Sequence, residues 1–136
     1  MTSLDLAQAS LSGDYRRQAV YFADSDCVEF VKDDAFTIYH RVDDFLTLIT
    51  DETKIGIVGF KLKGFRHYFN EIKAKHQLTA AHFVLLVEVI EAHCTDIGEQ
   101  LFTNDFRQRA YKAAGQFAKE HNARLDSHEF DQAMAA

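Results

Sequence analysis

The sequence contains no proline, and its six glycines are not gathered into a Gly/Ser-rich stretch. Proline and flexible stretches often mark linkers, so a chain of 136 residues without them is most simply one domain, residues 1–136. Only two cysteines occur, Cys27 and Cys94, and they form no CxxC pattern. We therefore expect no disulfide framework, a reducing compartment and a cytoplasmic location.

Long apolar runs and excess positive charge are missing as well. The longest apolar run, residues 80–90, is interrupted by His82 and Glu88 and is too short to cross a bilayer. The first residues lack the basic start and apolar run of a signal peptide. The net charge of −6 disfavours binding to phosphate backbones. We therefore expect neither a membrane nor a nucleic acid as a partner.

The usual catalytic and metal-binding motifs are also absent. The sequence has seven histidines but no HExxH, HxH or ExxH pattern. On one predicted helix, His82 and His93 would lie about 16 Å apart along the axis, too far to share an ion. GxSxG, GxGxxG and P-loop patterns do not occur, and acidic pairs such as Asp43 and Asp44 are typical of turns. We predict no catalytic residue, no metal and no cofactor; enzymatic activity is left open, with a non-enzymatic role favoured.

Residues 18–64 have the composition and alternation of β-strands. Apolar alternation recurs over residues 19–23, 27–31 and 37–42 and within residues 45–62, and acidic pairs separate these segments. Strand segments separated by acidic turns at regular intervals predict an antiparallel β-meander of four or five strands. Residues 1–17 are polar, and they form either a flexible arm or a segment that contacts a partner.

After Gly64 the apolar period becomes that of a helix, and it continues to the C-terminus. We predict helices over residues 65–76 and 80–101, a third after Thr103 or Asn104, and a short last one over residues 127–135. Strands followed by helices define an α+β fold, in which three or four C-terminal helices pack on one face of the sheet.

Residues 45–62 hold two apolar runs around a polar segment, residues 51–54, which predicts a β-hairpin. If Thr50 pairs with Ile55, counting outward assigns each side chain to one of two faces. The face that would pack on the helices carries Phe45, Thr47, Ile49, Val58, Phe60 and Leu62. The second face carries Leu46, Leu48, Thr50, Ile55, Ile57, Lys61 and Lys63. Both faces are apolar near the turn, so something must cover the second face.

We expect a second copy of the chain to pack on this second face. Leu46, Leu48, Ile55 and Ile57 would form a larger apolar patch than a small monomer usually exposes. Tyr39 and Arg41 share a strand face that could continue this patch, and tyrosine and arginine are enriched at protein interfaces. We therefore expect a non-enzymatic interaction module, either a homodimer or a regulator of an unknown protein partner. An ordinary solvated sheet face is the alternative interpretation of Tyr39 and Arg41.

A binding pocket between the sheet and the helices is the alternative function. His40, Tyr68 and His82 are the candidate polar groups for a small-molecule binder or a modest enzyme. A concave, partly polar cavity at these residues would favour this alternative.

Residues 21–62 resemble a known family in the order of their turns and strands. The segments are YFADSDCVEFV, then RVDDFLTLITDE, then IVGFKL. They are similar to the DUF2283-type small bacterial domains of unknown function. The resemblance covers about a third of the chain; it implies a β-meander and implies no activity.

Overall fold

The computed structural model describes residues 19–32, 36–53, 56–78 and 82–135. Its strands are β1 (Val20–Phe22), β2 (Cys27–Val31), β3 (Thr37–Arg41), β4 (Leu46–Asp51), β5 (Ile57–Lys63), β6 (Phe83–Leu85) and β7 (Arg124–Asp126). Its helices are α1 (Phe65–His76), α2 (Leu86–Ile97), a 3-10 helix (Gly98–Thr103), α3 (Asp105–Glu120) and α4 (Ser127–Ala135). The predicted arm, residues 1–17, lies outside the described residues.

The first five strands form one antiparallel sheet in the order β1-β2-β5-β4-β3, and the helices follow them in sequence. The prediction of an α+β fold with helices packed on one face is therefore confirmed. The strand order departs from a simple meander at one point, because β5 returns to pair with β2. The amphipathic strand β3 is left at the edge of the sheet, where a polar face is tolerated.

Gly59 makes the pairing of β5 with β2 possible. It lies opposite Val31, and a Cβ atom at this position would come within 2.2 Å of the Phe30 carbonyl oxygen. Real Cβ atoms do not approach a carbonyl oxygen so closely, so any side chain here would push the two strands apart.

The register of the β4–β5 hairpin differs from the prediction by three residues. Leu46 pairs with Leu62 rather than with Gly59, and Thr50 pairs with Ile57 after a β-bulge. The connection is therefore longer than the predicted four-residue turn. An odd shift turns the side chains of a strand to the opposite face.

This shift corrects the assignment of faces. Phe60 and Leu62 face the helices as predicted, but Thr47 and Ile49 face away from them and Leu46 takes their place. Leu46 is fully buried in the chain's own core, and Leu48 and Ile57 are partly buried against it. Ile55 lies outside the described residues. The predicted second face, with Leu46, Leu48 and Ile57 exposed together, is therefore not present in the structure.

The outer face of the sheet is covered in part by its own side chains. Tyr39 lies opposite Ile49, and its ring reaches across the neighbouring strands so that the hydroxyl donates to Glu29 Oε1 at 2.8 Å. Lys61 Nζ lies 5.9 Å from the centre of the same ring. Ile49, beside Tyr39 on this face, is fully buried.

Helix boundaries follow the local sequence signals where these are strong. Helix α1 begins after Gly64, whose φ is +66°, and ends at Gln77, so the predicted helix over residues 65–76 is confirmed. Asn104 caps α3, because its side-chain oxygen accepts a hydrogen bond from the backbone N–H of Arg107 at 3.0 Å. Helix α4 also coincides with its prediction.

The predicted helix over residues 80–101 was wrong at both ends. Phe83–Leu85 forms β6 and pairs with β7, a strand that the prediction missed, and Gly98–Thr103 is a 3-10 helix. The buried residues of α2 are Leu86, Val89 and Ile90. Its buried face therefore lies toward the side that carries His93, three residues after Ile90.

Candidate functional site

Asp43 joins the turn between β3 and β4 to helix α3. One carboxylate oxygen accepts hydrogen bonds from the backbone N–H groups of Phe45 and Leu46, at 2.9 and 2.8 Å. The other accepts from Arg107 Nε at 2.8 Å and from the Tyr111 hydroxyl at 2.6 Å. Four hydrogen bonds satisfy this mostly buried carboxylate, and they hold the turn against α3.

The turn places Phe45 within a group of nearly parallel rings. Phe45 and His93 stack with ring centres 3.8 Å apart and planes 12° apart. Tyr111 lies almost parallel to Phe45 at 6.2 Å, and Tyr68 meets Phe45 edge-on at 5.7 Å. The rings come from the β3–β4 turn, α1, α2 and α3, so they fix the imidazole of His93 where these elements meet.

His93 also belongs to a hydrogen-bonded chain. The Tyr68 hydroxyl lies 2.6 Å from Asp96 Oδ2, to which it donates, and 2.8 Å from His93 Nδ1. His93 and Asp96 lie three residues apart on α2, a spacing that places both side chains on the same side of the helix. Tyr68, from α1, therefore links an acid and an imidazole of the neighbouring helix.

A cavity of about 400 Å³ opens beside these residues. It is lined by Asp43, Asp44, Phe45, Lys63, Gly64, Tyr68, His93, Ile97 and Arg107. We call it the junction cavity, because it lies where the end of the sheet meets the helices. Its volume lies within the range of small-molecule sites, and its lining combines aromatic and charged groups.

Burial shifts the pKa values of the groups at the junction cavity. Burial lowers the pKa of His93 below its usual range, so the imidazole is neutral at pH 7. Burial, together with hydrogen bonding to Asp96, raises the pKa of the Tyr68 hydroxyl. Burial and the Asp43 carboxylate raise the pKa of the Tyr111 hydroxyl. Both hydroxyls therefore stay protonated near neutral pH.

The pKa of Asp43 is set by opposing effects. Burial alone would raise it, but the hydrogen bonds from Tyr111, the turn backbone and Arg107 lower it overall. Asp43 in turn raises the pKa of Arg107, although burial alone would lower it. The pair is therefore an ion pair at neutral pH, with Arg107 Nε at 2.8 Å from the Asp43 carboxylate.

Of the three candidate ligand-binding residues, the structure brings only Tyr68 to the junction cavity. His40 lies on β3, where Nε2 is 2.9 Å from Thr50 Oγ1. His82 is exposed just before β6. Tyr39 and Arg41, predicted for the interface, lie on the exposed edge strand, and Arg41 pairs with Asp44.

Sequence reasoning missed most of this site. His93 was considered only together with His82, as one of two histidines too far apart to share an ion. Its spacing of seven from Leu86 and three from Ile90 could have placed it on the buried side. Asp43 was correctly interpreted as a turn residue, but its partners in α3 are 64 and 68 residues away, and no local signal points to them.

Two other concavities occur on the described surface. One, of about 850 Å³, lies on the outer face of the sheet beside Phe22, Tyr39 and Lys61. Another, of about 560 Å³, runs between α2 and α3 beside Leu101 and Lys112. Unlike the junction cavity, neither of these two is lined by a histidine.

Comparison with known proteins found no significant match. No family model matches the chain, and neither a curated protein nor a solved structure matches it significantly. The resemblance of residues 21–62 to DUF2283-type domains stays a prediction. In the described ranges, no helix is both long and apolar enough to span a bilayer. Nor do these ranges contain a group of three His, Cys, Asp or Glu side chains that could hold a metal ion.

Proposed function

We propose that this protein binds a small molecule in the junction cavity. The observation that carries the proposal is the convergence of Tyr68, His93, Lys63 and Arg107 on one partly polar cavity. Four secondary-structure elements, β5, α1, α2 and α3, hold these groups, so the cavity walls are preorganised for a ligand. The role is binding without chemistry, carried out by a domain that we place in the cytoplasm because both cysteines are free.

The corrected register is the reason for preferring this function to self-association through the predicted patch. Leu46 is fully buried in the core and cannot contact another chain without unfolding. Leu48 and Ile57 also pack against the core. The cavity, by contrast, lies between sheet and helices, as the alternative function requires.

A fragment library screened by two-dimensional NMR tests the proposal. We expect the amide signals of Gly64, His93 and Ile97 to move when fragments bind, because these residues line or adjoin the cavity walls. His93→Phe keeps a ring against Phe45 but removes both nitrogens, and it should weaken binding of the fragments that shift these signals.

Lys112→Met is the matched control, because Lys112 lines the groove between α2 and α3 instead. It should leave fragment binding at the junction cavity unchanged. Fragments that move only signals of that groove, or a library in which no fragment moves any signal, would overturn the proposal.

Self-association is the second candidate, through a different part of the outer sheet face. Val20, Phe22 and Tyr39 are each exposed by nearly half, and all three lie on this face. Glu29 and Lys61 lie side by side among them, so a second copy related by a twofold axis could pair acid with base. A heterologous protein partner would be a competing occupant of the same surface.

Sedimentation velocity at low micromolar concentration distinguishes these outcomes. A dimer that Phe22→Asp dissociates, and that Phe106→Asp leaves intact, supports self-association. Phe106 is a suitable control because it is exposed by 55% on α3, away from the sheet. A monomeric wild-type protein would remove this second candidate.

A further inference from the structure

The groups of the junction cavity that lack partners indicate what a ligand must supply. Several lining groups are already satisfied: Asp43 accepts four hydrogen bonds, and Asp44 pairs with Arg41. A ligand gains little from groups that are already paired, and it gains most from donors and acceptors that are otherwise left without a protein partner. The chemistry of the ligand therefore follows from the unpaired groups.

His93 presents an acceptor. The Tyr68 hydroxyl has one proton, and an ionised Asp96 carboxylate can only accept it, at 2.6 Å. The contact of 2.8 Å between the Tyr68 oxygen and His93 Nδ1 is then a hydrogen bond only if Nδ1 carries the proton. In a neutral imidazole, Nε2 is therefore an unprotonated acceptor. Within the described part of the chain, Nε2 has no hydrogen-bond partner.

Lys63 and Arg107 present donors with positive charge. Among the described residues, the Lys63 ammonium makes no ion pair and no hydrogen bond. Arg107 uses Nε to bind Asp43, and its guanidinium also lies beside the Tyr111 hydroxyl. The cavity is therefore lined by two cationic residues, Lys63 and Arg107, and by the neutral imidazole of His93.

We infer that the ligand is a small carboxylate that also carries a hydrogen-bond donor, with its carboxylate on Lys63 and Arg107 and its donor on His93 Nε2. The inference rests on the proposed function of the cavity and adds the chemical class of the ligand. A hydroxyl or an amide N–H would serve as the donor. At about 400 Å³, the cavity has the size of sites that hold compact ligands.

Protonation of His93 should abolish the preference for a donor, because Nε2 then carries a proton itself. The groups that face the imidazole are Tyr68 from α1, Asp43 from the β3–β4 turn, and Arg107 and Tyr111 from α3, with Asp96 from its own helix. The two acids favour the charged ring, whereas burial and Arg107 favour the neutral ring and prevail. The preference for the hydroxy acid over its methoxy analogue should therefore fall as the pH falls below the neutral range.

Matched sets of probes separate the two parts of the inference. The first set is 3-hydroxybenzoate, 3-methoxybenzoate, which lacks the donor, and 3-hydroxybenzamide, which lacks the charge. A second set on an open chain, 3-hydroxybutanoate with its methoxy and amide analogues, controls for ligand shape. Titration calorimetry or NMR should show that each hydroxy acid binds about three- to ten-fold more tightly than either of its analogues.

Variants then assign each preference to a side chain. His93→Phe should remove the preference for the hydroxyl over the methoxy group and keep the preference for the acid over the amide. Lys63→Met should remove the preference for the acid over the amide and keep the preference for the hydroxyl over the methoxy group. Lys75→Met, on an exposed position of α1, should change neither preference. If His93→Phe does not fold, Tyr68→Phe replaces it. Without the Tyr68 hydroxyl the His93 proton is no longer held on Nδ1, so the preference for the hydroxyl over the methoxy group should fall.

The outcomes distinguish failure of the inference from failure of the proposed function. Equal affinities within both probe sets, or no binding of either hydroxy acid while other fragments occupy the cavity, would overturn the inference and leave small-molecule binding in place. A cavity that binds no fragment at all overturns both. Tighter binding of each hydroxy acid than of its analogues, lost in the corresponding variants, supports both the inference and the proposed function.

Discussion

Two adjacent aspartates show how differently the same residue type is used in one turn. Asp43 accepts four hydrogen bonds, two from the turn and two from α3, and its side chain is 17% exposed. Asp44 pairs with Arg41 at the surface, and its side chain is 97% exposed. The partly buried ion pair of Asp43 with Arg107 holds the turn against α3, whereas the surface pair contributes little.

Replacing Asp43 should therefore destabilise the protein, and replacing Asp44 should not. We expect Asp43→Ala to lower the free energy of unfolding by about 2–4 kcal/mol, because Arg107 and Tyr111 lose their shared partner. Asp44→Ala is the matched control and should leave stability nearly unchanged. Chemical denaturation of both variants measures the difference, and equal stabilities would contradict the role assigned to Asp43.

At the scale of elements, the β4–β5 hairpin is the part that the sequence predicted least well. Its two strands were correctly recognised, and so was the helix-facing side of Phe60 and Leu62. The register was wrong because LTLI and IVGF are apolar at successive positions, and such strands fit either face. The length of the turn then decided the register, and the bulge beside Thr50 gave no sequence signal.

Leu46 provides the test of this register. In the structure it is fully buried opposite Leu62, so Leu46→Ala should cost about 2–4 kcal/mol of unfolding free energy. Leu48→Ala removes a half-buried side chain of the same strand and should cost less. Thermal or urea unfolding gives both values; a Leu46→Ala variant as stable as the wild type would support the predicted register and an exposed Leu46.

Gly59 tests the pairing of β2 with β5. Gly59→Ala should destabilise the protein by about 2 kcal/mol or more, because the new Cβ would lie 2.2 Å from a carbonyl oxygen. Gly115→Ala, on α3 with no atom within 4 Å of the new Cβ, should instead stabilise it by about 0.5–1 kcal/mol. Opposite signs in denaturant unfolding are the expected result, and the same sign for both would contradict the strand order.

The helical half was predicted well where capping signals are local. Gly64 and Asn104 mark the starts of α1 and α3, and both boundaries could be predicted from the sequence. Strand β6 could not, because Phe83–Leu85 is extended only through its pairing with Arg124–Asp126. A partner some forty residues away overrides local helix propensity without leaving a local trace.

At the scale of the whole molecule, one core joins the first strand to the last helix. Phe130 of α4 stacks on Phe69 of α1 at 4.0 Å and lies 4.8 Å from Tyr21 of β1. The sheet and the helices therefore form a single packed unit, and the junction cavity lies at its edge. Composition and periodicity predicted this general architecture, whereas the cavity depends on contacts across the whole chain.

The stability of the whole molecule should depend on pH through His93. Because its pKa is lower in the folded protein than the 6.5 of a free imidazole, the unfolded chain takes up the proton first as the pH falls. The stability that depends on neutral His93 is present above about pH 6.5 and is lost as the pH falls through its folded pKa. Urea unfolding between pH 8 and pH 5 measures this loss.

His93→Phe should make the dependence of stability on pH shallower over this range. His67→Phe is the control, because His67 is exposed and its side chain lies 3.6 Å from Glu71 at the surface. Parallel curves for the wild type and His93→Phe would contradict the buried, neutral state of His93.

The most direct measurement of the central claim is the nitrogen-15 NMR spectrum of the His93 imidazole, recorded at pH 7 with and without a fragment that binds. The structure predicts a neutral ring with the proton on Nδ1, and an Nε2 signal that moves when the fragment is added. A ring protonated on Nε2, or an Nε2 signal that no fragment moves, would contradict the assignment of the junction cavity as a binding site.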